Sequence, residues 1–131
     1  MPDADVPPVG GLDAIGRRYL DLLCRCLTRE LFLDQEWWDV RLSDVPGGAD
    51  ELLPMLRENQ WRLVRRGDHG ARPEGRDWPP TAETMIGTAR LDNVLQCCVA
   101  AVRDDIPGDF VETGVWRGGA TILMRGVLEP A

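Results

Sequence analysis

Apolar side chains recur at three- and four-residue steps early in the chain: Leu12, Ile15, Tyr19, Leu20, Leu23, Leu27 and Leu31, with Arg17, Arg18, Asp21, Arg25 and Arg29 mostly opposite. That period predicts an amphipathic helix, since residues three and four apart share one face. It is a packing helix, and its face is open to docking on a second subunit. Residues 1–11, rich in Pro, Gly and Asp, are expected to form a flexible arm. The period then breaks at Phe32 to Asp39, where tandem Trp37 and Trp38 sit in an acidic setting. Burial in the chain's own core is expected for them, with an interface or a substrate wall as alternatives.

Ser43 to Ala49 is turn chemistry. A second helix is expected from Glu51 to Arg66, with Pro54 tolerated only near its first turn. Its Arg62, Arg65 and Arg66 are expected to be a solvated face. Residues 67–80 form a polar loop ending in a stiff Trp78-Pro79-Pro80 corner, which can hold Asp77 and Trp78 at a pocket edge. His69, the single histidine, is expected to be solvated. Thr81 or Thr84 can cap a third helix with the stripe Leu91, Val94, Leu95, Cys98, Val99 and Val102, and Gly87 is expected to interrupt its first turn.

The end of the chain changes period again. Phe110 and Val111 follow Pro107-Gly108 as a β-favouring run, Gly114 relieves a turn, and Gly118-Gly119 open the apolar run Ile122 to Leu128. Strand over about 109–113, glycine turn and helix is the prediction. A glycine-rich turn feeding a helix offers backbone N–H groups and a positive dipole end to an anionic group. Glu112, at the strand's carboxyl end, adds a carboxylate that a phosphate would not want close by. S-adenosylmethionine suits both, with an ammonium, a sulfonium and a ribose for the acid and a carboxylate for the helix end, and an ordinary strand-to-helix turn without a ligand is the equal alternative. Competing motifs fail on single residues. A dinucleotide fingerprint needs glycine where Trp116 stands, and a P-loop needs a lysine, of which the chain has none.

Composition narrows the class. The 131 residues are one domain's worth, and 15 cationic residues, all Arg, against 22 acidic ones give a net charge of −7. That balance argues against nucleic acid or an anionic membrane as partner. With no membrane-length apolar run and no basic leader at Met1, a cytoplasmic location is expected. Cys24, Cys26, Cys97 and Cys98 are spaced C-x-C and C-C, unlike zinc sites, and are expected to pack as reduced thiols.

Two blocks resemble the macrocin and mycinamicin O-methyltransferases. One runs from Gly75-Arg76-Asp77-Trp78-Pro79-Pro80 through Thr84-Met85-Ile86-Gly87 to Arg90-Leu91-Asp92-Asn93; the other is Ile106-Pro107-Gly108-Asp109-Phe110-Val111-Glu112-Thr113-Gly114-Val115-Trp116-Arg117-Gly118-Gly119, with Ile106 where valine is usual. The likeness is dense from Arg72 to Leu128, weaker over Arg18 to Leu23 and Arg25 to Thr28, and slight between Phe32 and Ala71. It implies an α/β class I methyltransferase of the Rossmann-like, doubly wound type. Magnesium would assist methyl transfer from S-adenosylmethionine to a sugar hydroxyl of a macrolide or related natural product. By position, Glu112, Gly114, Val115, Trp116, Arg117, Gly118 and Gly119 would surround the cofactor's methionine portion, and Thr84 and Met85 would cover it.

The family pattern also places a ribose-binding acid, magnesium-binding aspartates and a general base beyond Ala131. The expectation is therefore a truncated, mostly helical portion with one strand and the start of the first crossover helix, inactive by itself. Residues 12–106 would be an N-terminal helical region and 107–131 the beginning of the cofactor-binding domain. A lone strand lacks ladder partners, so the strand and the helix after it are expected to fray or to pair with another copy. A non-catalytic helical fragment or interaction module is the alternative, and a nucleotide-dependent oxidoreductase the more remote one.

Overall fold

A computed structural model describes residues 12–47, 50–67, 69–77 and 79–128. The expected arm over 1–11 and the expected role of Trp78 lie outside them, and so does the side chain of His69.

Helix α1 spans Ala14–Leu27 and starts where Asp13 Oδ1 accepts the Gly16 N–H at 2.6 Å. Its buried face is Gly16, Leu20 and Leu27, with Leu23 and Cys24 packed beside them. Ile15 is 78% exposed, so the inward face is the one centred on Leu20 rather than on the whole predicted stripe. The helix also stops before Leu31. Arg29 turns left-handed (φ 60°), and a 3-10 segment, Glu30–Gln35, kinks at Phe32.

Helix α2 is shorter than the sequence suggests. It covers Leu52–Glu58, with Pro54 in its first turn, and ends where Gln60 adopts φ 54°. The residues expected to continue it form a strand, β2 (Val64–Arg66), paired antiparallel with β1 (Trp37–Asp39) in the register Trp37↔Arg66, Trp38↔Arg65 and Asp39↔Val64. The cross-strand partners explain the switch. Arg65 lies 4.9 Å over the Trp38 ring and Arg66 5.7 Å over Trp37, while Asp39 takes a forked ion pair from Arg62 at 2.6–2.9 Å. Trp37 therefore stands 44% exposed on the sheet instead of in the core.

Helix α3 (Thr88–Arg103) buries Leu91, Leu95, Cys98 and Val99, as its stripe predicts. Gly87 is its N-cap rather than an interruption; a Cβ there would lie 2.5 Å from the Pro73 carbonyl oxygen. Neither threonine caps it. The Thr81 hydroxyl donates to Glu36, and Thr84 Oγ1 accepts from Ile86 N at 3.4 Å. Helix α4 (Gly119–Leu128) is not frayed: Ala120, Leu123 and Val127 are buried, and Gly126 backs onto Leu23 of α1. Leu20, Leu27, Leu91, Leu95, Cys98, Val99, Leu123 and Val127 form one core between α1, α3 and α4.

The strand expected at 109–113 is absent. Among the described residues nothing pairs with it, so the segment is irregular, with Phe110 packed on the core and Val111 77% exposed. The described fold is a small helical assembly carrying one two-stranded sheet.

Candidate functional site

The segment 81–84 runs as a strap between the end of α1 and the start of α4. Glu83 N donates to the Leu27 carbonyl at 2.9 Å, and the Glu83 carbonyl accepts from Gly119 N at 3.0 Å. Arg117 Nη1 donates to the Ala82 carbonyl at 3.2 Å, and its guanidinium lies 4.5 Å over the Trp116 ring. Thr84, buried, meets Gly119 so closely that a Cβ on that glycine would lie 2.6 Å from the Glu83 oxygen and 2.7 Å from Thr84 Cβ. The chain thus brings Thr84 against Gly119, 35 positions later, and Arg117 onto Ala82, which only the sequence motifs had linked.

The turn before α4 needs its glycines for a different reason. Gly114 (φ +92°) and Gly118 (φ +82°) are left-handed, with no atom within 4 Å of where a Cβ would stand. Backbone shape selects glycine there; close packing selects it at Gly119. Val115 is exposed, Trp116 and Met85 are half-buried, and none of them lies in the helical core.

Glu112 behaves in a way that its motif position did not reveal. Its Oε2 accepts from Thr121 N at 3.1 Å and from the Thr121 hydroxyl, which places the carboxylate on the first turn of α4. An acid there complements the helix dipole. Three amides of that turn are engaged within the chain: Gly119 with Glu83, Thr121 with Glu112, and Ile122 with Gly118 at 2.8 Å. The helix end offers an anionic ligand less than a bare N-terminus would.

A layer of buried charge that sequence reasoning missed lies behind the strap. Arg72 and Asp77 pair with almost no exposure, and Arg72 Nη1 also reaches the Thr28 carbonyl at 2.5 Å. Asp77 is thereby a structural anchor and not a pocket edge. Glu36, also buried, accepts from Thr81 and faces Arg29 Nε at 3.7 Å. The one available signal was an ionisable residue lodged between Leu31-Phe32-Leu33 and two tryptophans.

Two of the thiols are shielded, whereas Cys97 is exposed rather than packed as expected. Burial, reinforced by Asp92 and Asp21, pushes the Cys24 thiol up to about 11, and burial raises Cys98 as well. Among the described residues no three His, Cys, Asp or Glu side chains gather as a metal site requires, and no helix is long and apolar enough to cross a membrane. An open groove of about 490 Å³ lies elsewhere, between α2 and β1, lined by Leu42, Leu53, Leu56, Trp61 and Leu63, and none of the motif residues lines it.

Comparison with known proteins places the chain among O-methyltransferases. The chain is 63% identical over 110 residues to a demethyldecarbamoylnovobiocin O-methyltransferase of Streptomyces niveus, covering 84% of this chain and 35% of that protein. It is 55% identical over 110 residues to an 8-demethyl-8-(2,3-dimethoxy-alpha-L-rhamnosyl)-tetracenomycin-C 4'-O-methyltransferase of Streptomyces olivaceus, covering 84% and 34%. A mycinamicin III 3''-O-methyltransferase of Micromonospora griseorubida matches at 56% over 59 residues, 45% of this chain and 23% of that one. The solved structure of the O-methyltransferase NovP superposes with a TM-score of 0.60 at 36% identity, over 88% of this chain and 37% of that one. The chain spans about a third of the length of the first two relatives. The profile of the macrocin-O-methyltransferase (TylF) family matches residues 16–131, and the chain belongs to that family.

Proposed function

We propose that this chain supplies the methionine-side wall of an S-adenosylmethionine site in an O-methyltransferase that acts on a sugar hydroxyl of a glycosylated natural product. One observation carries the reading: the Thr84 strap closes onto the Gly118-Gly119 turn at the head of α4, with Glu112 on the same turn. The residues fit such a group. Gly114 and Gly118 hold left-handed turns with open space on their Cα atoms, so ligand atoms can approach the backbone. Glu112 can accept from an ammonium while it holds α4, since one carboxylate has lone pairs for several donors.

The cofactor, when bound, supplies a sulfonium-activated methyl group. What the chain does is hold and orient: Thr84 and Met85 from one side, and Glu112, Gly114, Val115, Trp116, Arg117, Gly118 and Gly119 from the other. Transfer needs the acceptor oxygen in line with that methyl. Among the described residues no three His, Cys, Asp or Glu side chains gather to hold magnesium. On this reading residues 107–131 begin a doubly wound, Rossmann-like domain, and the chain by itself does not turn over.

Calorimetric titration of the chain with S-adenosylmethionine tests the proposal. Saturable binding is expected, and Glu112→Ala should weaken it by roughly 1.5 to 3 kcal/mol, the scale of a lost charged hydrogen bond. No binding by a folded chain would sink the reading. Methylated product from a demethylated glycoside would show that the chain turns over by itself, against this reading.

A further inference from the structure

We infer that Glu36 is a positioning residue for this site, acting through Thr81 on the strap that carries Thr84. The inference rests on the reading of that strap as a cofactor wall. Glu36 lies in the stretch 32–71, where the motifs assign nothing, and is only 1% exposed. Removing a carboxylate from water is costly unless it is fully paired. Here the pairing is partial. Oε1 accepts from the Thr81 hydroxyl and stands 3.7 Å from Arg29 Nε, while Oε2 has no hydrogen-bond partner among the described residues. A carboxylate held this way is a poor device for stability and a good one for fixing where Thr81 lies.

The neighbourhood is built around that contact. Arg29 takes a left-handed backbone (φ 60°) directly after the C-cap of α1, a conformation unfavourable for a residue with a Cβ, and its side chain faces Glu36. The Glu36 carbonyl in turn accepts from Gly67 N at 3.3 Å, just past β2, so the same residue is tied to the sheet. From Thr81 the strap passes through Ala82, with no exposed surface, to Glu83 and Thr84. Its other anchors, Leu27, Arg117 and Gly119, bind strap backbone and act after Thr81. Glu36–Thr81 is the side-chain contact on the first residue of the strap, four residues after the Arg72–Asp77 anchor, and it joins the sheet to the cofactor wall.

Hydrogen exchange on the full chain supplies the first measurement. Thr81→Val and Glu36→Ala should each speed exchange of the Glu83 and Gly119 amides about tenfold, the effect of one lost hydrogen bond, while Leu95 and Val99 of α3 keep their rates. Thr81→Ser, which retains the hydroxyl, should return both amides to the original rate. The dissociation constant for S-adenosylmethionine should follow, rising about tenfold in Thr81→Val and recovering in Thr81→Ser. Unchanged exchange at Glu83 and Gly119 in both folded variants overturns the inference, and so does equal acceleration through α3, which would make Glu36 a support of the whole fold. If the original chain binds no S-adenosylmethionine, the cofactor reading fails and exchange at the two amides still decides whether Glu36 anchors the strap.

Discussion

The helical core and the two-stranded sheet are held by different physics, although they lie side by side in one short chain. Between α1, α3 and α4 apolar side chains are fully buried, whereas no hydrophobic residue described between 37 and 66 is. The sheet instead pairs Trp37 and Trp38 with arginines across the strands, and Asp39 with Arg62 in the open. Burial stabilises by area and tolerates no missing volume. Ring–guanidinium and ion pairs at the surface contribute around 1 kcal/mol or less each. The core should therefore unfold as one unit, and the sheet should yield more easily.

The strongest way to break that contrast is Leu123→Ala, at a fully buried core position. A loss of about 2 to 5 kcal/mol is expected in urea unfolding, and a loss below 1 would mean that α4 is not part of the core. Next comes the strap. Gly119→Ala drives a methyl into the Glu83 carbonyl and Thr84, neither able to give way without moving backbone, so about 1 to 3 kcal/mol should go. Gly118→Ala meets no neighbour and should cost only about 1 kcal/mol, from its left-handed backbone. Equal losses from the two would erase the distinction between packing and backbone shape at this turn.

Alkaline pH offers a smaller test of the core. The Cys24 thiol titrates near 11 against 9.0 in an ordinary setting, so the folded state favours its neutral form. That contribution is complete below pH 9 and is lost as pH rises through 11, because the unfolded chain ionises first. With partial exposure discounted, stability should fall by about 1 kcal/mol across that window, less steeply in Cys24→Ala. Thermal melts at pH 8.5 and 11 would measure it. The smallest effect belongs to the sheet: Arg65→Ala, which uncovers Trp38, should cost about 0.5 to 1 kcal/mol, seen as local exchange at Val64 and Arg66 with the core melt unchanged. A large fall in the core melt would mean that the two regions are coupled.

Much of the core was legible beforehand because helical periodicity is a local property. The stripe Leu91, Leu95, Cys98, Val99 on α3 matches its buried face, and Cys98 behaves as the small apolar group expected. The family, too, was legible, since two blocks of unusual residues in the right order are more specific than any pattern of polarity. The same blocks named Thr84 and Gly119, which the fold brings into contact, but they could not say that Glu112 would rest on Thr121.

What the sequence determined by itself was the buried face of α3, the absence of a zinc or P-loop pattern, and the membership carried by its motifs. Tertiary structure decided the rest wherever the partner was distant in the chain. Residues 64–66 resemble helix until Trp38 and Trp37, 27 and 29 positions earlier, lie opposite Arg65 and Arg66, and cross-strand contact then outweighs a weak local propensity. Residues 109–113 resemble strand, yet a strand exists only as part of a ladder, and none is available to it among the described residues. Glu36 looks like a surface acid until Thr81 and Arg29 close over it, because burial is a property of the assembled surface and no residue carries it alone.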